Sequence, residues 1–331
     1  MIIESRAFAR AGLVGNPSDG YFGKTISVSI KNFGAHIQLF RTPELVFQPA
    51  EADLSTYKSI YHLRDQLALT GYAGGIPLLK ATTKRFLEYA DSTNQKLSNH
   101  VFTVRYHTSI PRQVGMAGSS AIVTAMLKAL MQFYQVDIPL HILPTLALSV
   151  EADELGITAG LQDRVIQAYE GCVFMDFEKE HLQANGFGLY QPLPVANLPK
   201  MYIAYMLQLG KVSGKVLNEV RAKFEKGEPQ TISTLQSIAG LAAQGRDAIL
   251  AKDHAMLAQL INQNFDYRTQ IMQISPSNQL MIDTARACGA SASFTGSGGA
   301  IIGSYTTDRM LEHLFIALKG IGAKVVKPYF S

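Results

Sequence analysis

One segment constrains the fold more than any other: Pro111-Arg112-Gln113-Val114-Gly115-Met116-Ala117-Gly118-Ser119-Ser120-Ala121. It crowds small residues and paired hydroxyls between a strand and a long helix. Before it, Phe102, Val104 and Tyr106 alternate with Thr103 and Arg105, the period of a strand. After it, Ile122, Met126, Leu127, Leu130, Met131 and Tyr134 recur at helical spacing. A glycine turn feeding a helix leaves backbone N–H groups free at the positive end of the helix dipole. Such a turn binds anions, phosphates above all. A plain strand-to-helix turn needs only one Ser or Gly as its cap. Gly115, Ala117, Gly118, Ser119 and Ser120 together exceed that need, and small side chains let a ligand approach the backbone. A hydroxyl beside bound phosphates can also hold Mg²⁺.

At 331 residues the chain is long enough for two domains. With 47% hydrophobic and 17% charged residues it reads as an ordinary globular protein. The net charge of +4 comes without a Lys/Arg run, which argues against a nucleic-acid stripe. Cys172 and Cys288 make no disulfide framework and have no partners at metal-ligand spacing. No apolar run reaches the roughly 18 residues of a membrane span, and the N-terminus lacks a signal layout. The expected location is the cytoplasm.

The polar turn Asn16-Pro17-Ser18-Asp19-Gly20 separates strands expected at 7–15 and 25–40. Residues 41–75 are less regular and could form a lid. Helices are expected at 77–91, 119–134 and 139–155, then a short one from Leu161 and a strand over 172–177. A polar stretch with Pro192 and Pro194 marks a boundary, giving domains 1–195 and 196–331. The second half reads as strand 201–207, helices 211–226, 231–251, 253–274 and 277–288, the glycine turn Gly296-Ser297-Gly298-Gly299, strand 300–305, helix 307–320 and strand 323–329. Mixed strands and helices in both halves exclude an all-helical class.

Two glycine signals are decoys. Gly23-Lys24-Thr25 imitates the end of a P-loop, but position 18 is serine where that motif needs glycine. Gly296-Ser297-Gly298-Gly299 opens no helix and is not a dinucleotide fingerprint. Three charged residues deserve both a functional and a plainer reading. Glu151 and Asp163 supply what phosphoryl transfer needs, a carboxylate for Mg²⁺ and one for a base. Spacing alone favours a solvated helix residue and a helix-start carboxylate, with Asp153 and Glu154 competing for the role of Glu151. Arg10 interrupts the apolar strand Ala7-Phe8-Ala9-Arg10-Ala11-Gly12-Leu13-Val14. It either faces water from a sheet edge or is a fixed cation beside developing phosphoryl charge.

Taken together, these segments resemble the GHMP kinases, the superfamily of galactokinase, homoserine, mevalonate and phosphomevalonate kinases. Its three motifs occur in order: Ala7 to Arg10 with Gly15 to Asp19, Pro111 to Ala121, and Phe294 to Gly299. Within it the chain is similar to the members that phosphorylate the anomeric hydroxyl of D-glucuronate with ATP. The supporting segments are Gly15 to Ser27, Ile110 to Gln113, Glu154 to Ile157, Ala159 to Val165 and Phe294 to Ala300. The resemblance implies an α+β fold of two domains, the first like ribosomal protein S5 domain 2 and the second ferredoxin-like.

It also implies roles. Asp163 matches the catalytic aspartate, and Arg10 the cation supporting it. Ser119 and Glu151 match the Mg²⁺ ligands, the twelve-residue step from Glu151 to Asp163 favouring Glu151 over Glu154. Pro111, Gly115, Met116, Ala117, Gly118, Ser119 and Ser120 would cradle ATP. Asn16, Asp19, Tyr21, Lys24, Arg164, Gly296, Ser297 and Gly298 would contact the sugar, with Asp19 on its hydroxyls. Asn16-Pro17 stands where galactokinases have Glu-His, which argues against galactose. A uronate carboxylate wants an Arg or a backbone nest, and Lys24, Arg112 and Arg164 are candidates, with Asn264 and Arg268 as further residues to face the cleft. The implied partners are ATP, Mg²⁺ and a small sugar acid, with no nucleic acid or membrane, in a monomer or homodimer. Two alternatives stay open: a different uronate or neutral sugar as acceptor, and a regulator that binds ATP and sugar without turnover.

Overall fold

The computed structural model describes residues 2–50, 53, 74–207 and 213–330. Most of the irregular segment 41–75, and with it the question of a lid, lies outside them. Two antiparallel-rich sheets divide the strands by sequence. The first has six strands: β1 (Ile2–Val14), β2 (Lys24–Thr42), β3 (Val46–Phe47), β4 (Val101–Thr108), β5 (Cys172–Asp176) and β6 (Leu189–Leu193). The long β2 pairs with β1 along one edge; its other edge takes β5 at residues 24–28 and β4 at 35–42. The second sheet is β7 (Met201–Tyr205), β8 (Ser293–Phe294), β9 (Ala300–Ser304) and β10 (Lys324–Val326), in the order β10-β7-β9-β8. Numbered within that half, the order is four-one-three-two, that of a βαββαβ ferredoxin-like unit.

The helices are α1 (Gly75–Ser92), α2 (Gly118–Tyr134), α3 (Leu143–Ser149), α4 (Leu161–Tyr169), α5 (Lys179–Asn185), α6 (Ser213–Glu225), α7 (Pro229–Ala251), α8 (His254–Ile271), α9 (Pro276–Ala287) and α10 (Asp308–Gly320). The helix α2 is buried almost all round, from Ser120 to Phe133, which its Ala-rich and Leu-rich sequence permits. One apolar core runs from Leu13, Ile26 and Leu127 through to Ile203, Leu260 and Ile302, so the two sheets share it. Side chains that accept from the first helical turn start α8 (Asp253), α9 (Ser275) and α10 (Thr307). No helix among the described residues is long and apolar enough to cross a membrane.

The elements depart from the sequence expectations in several places: β1 begins at Ile2 rather than at residue 7, and the short strands β3 and β8 were not expected. The helix expected over 139–155 begins only at Leu143, because Ile142 N–H closes a turn on the Pro139 carbonyl. It then widens into a π-turn at Val150–Glu154 before Gly156, whose φ is +63°. The polar stretch before residue 195 contains β6, whose Pro192 is tolerated because this strand is the sheet edge. Helix α5 also lies in that stretch, and the last strand is shorter than 323–329.

Candidate active site

The site is assembled around Arg10. Residues Ala9 to Val14 of β1 are buried on both faces, because the other half of the chain covers the face the sheet leaves open. The water-facing reading of Arg10 is therefore excluded: the residue is 7% exposed on a hydrogen-bonding edge strand. A buried guanidinium must be partnered. Its Nε donates to Asp163 Oδ1 at 2.6 Å, and its Nη1 donates to the carbonyls of Gly115 and Thr295, both at 2.7 Å. Backbone bonds reinforce this junction, from Arg10 N–H to the Met116 carbonyl (3.3 Å) and from Gly12 N–H to the Thr295 carbonyl (2.7 Å). All three glycine-bearing motifs thus meet at one cation.

Asp163 occupies the first turn of α4, where the helix dipole favours a carboxylate. Its second oxygen lies 3.6 Å from Arg164 Nη1. Burial pushes its pKa up, but the Arg10 and Arg164 charges outweigh burial and hold it below the ordinary aspartate value. Asp163 is anionic at neutral pH. Asp19 approaches the same helix end and accepts from the backbone N–H of Gln162. A Cβ at position 160 would press on Asp19 Oδ2, so glycine there lets that carboxylate come close to the helix start. Burial, and then the charge of Asp163, push the Asp19 carboxyl up to about 6. Two carboxylates of opposite tendency therefore share one helix N-terminus.

The glycine loop has the form its composition demands. Gly115 (φ +71°) and Ala117 (φ +59°) are both left-handed, and Ala117 is the N-cap of α2. That conformation costs alanine about 1–2 kcal/mol. The Ala117 carbonyl is correspondingly well held, by Gln167 Nε2 (2.8 Å) and Ser120 Oγ (3.2 Å). The first backbone bond of the helix runs from Ala121 N–H, so those of Gly118, Ser119 and Ser120 have no partner within it. Ser119 is exposed, Pro111 and Gly118 are half-buried, and Met116 and Ser120 are buried, so the last two can offer a ligand only their backbone. The turn Gly296-Ser297-Gly298 closes on this loop: a Cβ at Gly296 would strike the Gly115 carbonyl and the Arg10 guanidinium. Asn278 Oδ1 anchors the turn through Gly299 N–H at 3.0 Å.

The remaining expected residues divide into those near this centre and those already engaged. Arg164 and Glu151 are both buried and form an ion pair with each other, and Arg164 Nη1 also donates to the Gly160 carbonyl (2.8 Å). Lys24 pairs with Asp176 across β2 and β5. Tyr21 packs against Phe224 with tilted rings, their centres 4.9 Å apart, and burial pushes its phenol up to about 12. Asn16 is buried; its carbonyl and side-chain oxygens accept from Asn264 Nδ2 at 3.2 Å, and Asn264 Oδ1 accepts from Gly15 N–H at 2.7 Å. Asn264 thus fixes the first motif rather than facing open space. Arg112 is exposed, and Arg268 is 1% exposed behind Gly296.

No three His, Cys, Asp or Glu side chains gather into a metal cluster among the described residues. A metal carried in with a nucleotide needs only one or two protein oxygens. Ser119 Oγ, exposed at the helix start, fits that role. Asn278 and Gln167 escaped sequence reasoning, and Thr295, though inside the third motif, had no role assigned to it. Gln167 left a signal, since it lies four residues after Asp163, on the same face of α4.

Residues 78–171 match the family model described as GHMP kinases N terminal domain. Glucuronokinase 1 of Arabidopsis thaliana is 44% identical over 306 residues, covering 91% of this chain and 84% of its own. Probable glucuronokinase 2 of the same plant is 43% identical over 308 residues, with the same coverages. In fold the chain resembles the galactokinase of Lactococcus lactis crystallised with galactose, with a TM-score of 0.76, 13% identity, and coverage of 99% of this chain and 93% of that one. A glycine loop at a helix start, an arginine-clamped aspartate and two relatives above 40% identity along nearly the whole chain agree: it belongs to the glucuronokinases of the GHMP kinase family.

Proposed function

We propose that the chain transfers the γ-phosphoryl group of ATP to the anomeric hydroxyl of D-glucuronate, giving glucuronate 1-phosphate and ADP. The observation that carries this reading is the Arg10–Asp163 pair set directly against the Gly115 carbonyl. It puts an anionic carboxylate and a fixed cation beside the loop suited to a triphosphate. The free N–H groups of Gly118, Ser119 and Ser120 would hold phosphate oxygens. Asp163 would hold the anomeric hydroxyl in line and take its proton as the O–P bond forms. Its low pKa makes it a weak base. Weak basicity is adequate for a loose transition state, in which positioning matters more than nucleophile strength. Arg10 would offset the charge gathering on the transferred group.

Ser119 Oγ would contribute to holding Mg²⁺, and Glu151 could join it through Oε1 while Oε2 keeps its Arg164 partner. When bound, the metal neutralises charge on the phosphates. Asp19 would accept from ring hydroxyls, with Gly296, Ser297 and Gly298 closing over the sugar. In this reading the parts act as domains 1–195 and 196–331. A monomer or a homodimer would serve this reading. A coupled ADP-release assay over glucuronate, galacturonate, glucose and galactose tests the acceptor. Glucuronate should give the highest kcat/KM; neutral hexoses outperforming both uronates would refute it. In the same assay Asp163→Asn should lower kcat about 10²–10⁴-fold with ATP binding retained. Near-normal turnover would remove Asp163 from the chemistry.

A further inference from the structure

A uronate differs from its parent hexose by one carboxylate, and the residue that reads it must be a cation not already committed. Most of the basic residues near the centre are committed. Arg10 is taken by Asp163, Arg164 by Glu151 and Lys24 by Asp176. Arg112 stands exposed on the glycine loop, where water screens its charge, whereas Arg268 is buried beside the centre and has no carboxylate partner among the described residues. It is among the largest fully buried side chains of the protein. Its Nη2 donates to the Gly296 carbonyl at 2.7 Å and its guanidinium lies 5.1 Å from the centre of the Phe294 ring. Its Nε and Nη1 find no hydrogen-bond partner, and it has no carboxylate in an ion pair, among the described residues. A buried cation in that state is costly.

Its position suits a counter-charge brought by the substrate. Arg268 and Arg10 both lie against Gly296, so Arg268 borders the reacting centre. In a pyranose, C1 and C5 flank the ring oxygen. A carboxylate on C5 therefore lies at the same end of the sugar as the anomeric hydroxyl. With that hydroxyl on Asp163, the carboxylate lies about one ring width away, and Arg268, which shares the Gly296 turn with Arg10, is a buried cation at that range. We propose that Arg268 is the specificity-determining residue for an acid sugar, its guanidinium taking the substrate carboxylate where the Gly296 turn now covers it. The inference rests on the uronate acceptor proposed above. It requires only that the Gly296 carbonyl turn away from Arg268 when the sugar binds, the turn keeping its Asn278 anchor and its place over the sugar.

The test is the ratio of kcat/KM for glucuronate to that for glucose, in the wild type, Arg268→Met and Arg268→Lys, with the KM for ATP measured alongside. The wild-type ratio should strongly favour glucuronate. Arg268→Met should lower it about 10²-fold, as loss of a desolvated charged hydrogen-bond partner does, and Arg268→Lys should lower it less. If both sugars decline together, Arg268 only braces the turn and the inference fails. If instead the KM for ATP rises and the ratio holds, the missing counter-charge is a phosphate, and it fails as well. A wild type that does not prefer glucuronate refutes the acceptor itself, which separates that failure from this one. A crystal structure of the wild-type chain with glucuronate decides the matter even if the variants do not fold: the carboxylate should lie on Arg268, and finding it elsewhere overturns the assignment.

Discussion

Replacing Asp19 with asparagine should make the protein more stable and the enzyme worse. The carboxyl is pushed from 3.8 to about 6, first by burial and then by the charge of Asp163. Its folded-state pKa is therefore above its unfolded value, the reverse of a salt-bridged aspartate. The native state holds the proton more tightly than the unfolded chain between about pH 4 and pH 6. Stability contributed by this group is thus fully present below pH 4 and is lost as pH rises through 6. Two pH units correspond to about 3 kcal/mol. Asp19 is only half-buried, so water screens part of this, and a gain of about 1–2 kcal/mol for Asp19→Asn at pH 7 is the expected size. The amide keeps an oxygen to accept from the Gln162 N–H, so the helix start is not orphaned. Urea midpoints of wild type and variant at pH 5, 6, 7 and 8 measure the effect. The variant's advantage should be largest at pH 7–8 and shrink towards pH 5, while its kcat/KM for glucuronate falls at least tenfold. A variant less stable than wild type at pH 7, or an advantage that does not change with pH, would refute the reasoning.

Two further substitutions test the junction of the motifs. Arg10→Met leaves the Asp163 charge and the Gly115 and Thr295 carbonyls without their donor; urea unfolding should show a loss of about 2–4 kcal/mol, and kcat should fall about 10³-fold. An unchanged unfolding midpoint would count against Arg10 as the clamp. Gly296→Ala drives a methyl into the Gly115 carbonyl and the Arg10 guanidinium; a cost of about 1–3 kcal/mol by thermal melting is expected, together with a lower kcat/KM. Wild-type behaviour in both measurements would mean the two turns do not close on each other.

Much of this site was legible because its motifs are local. The strand, glycine loop and helix around residues 101–134 declare themselves through a change of hydrophobic period, and the structure has them within a residue of the expected bounds. The state of Arg10 was not legible. On β1 it reads equally as an edge residue or a buried cation, and what decides is Thr295, 285 residues away. The Glu151–Arg164 pair was hidden for a different reason: the π-turn at Val150–Glu154 alters which residues share a helix face, so helical spacing gives no guide to where Glu151 points. Strand β6 was concealed by Pro192, which reads as a loop residue until the edge position of the strand is known.

The pairing pattern at the centre carries an argument about what it can bind. Three acids, Asp19, Asp163 and Glu151, stand among three arginines, Arg10, Arg164 and Arg268. Two of the acids are clamped in ion pairs, by Arg10 and Arg164. Asp19 and Arg268 are close enough to feel each other, yet they form no ion pair. Each is perturbed in the direction that disfavours its charge, Asp19 up to about 6 and the buried Arg268 guanidinium down to about 10. An ion pair between them would relieve both and would leave neither free for a ligand. Kept apart, one can accept from sugar hydroxyls while the other meets a carboxylate, and a neutral hexose could satisfy only the first. The stability sacrificed by that separation is what Asp19→Asn should recover from one side, and occupancy by an acid sugar should recover it from the other.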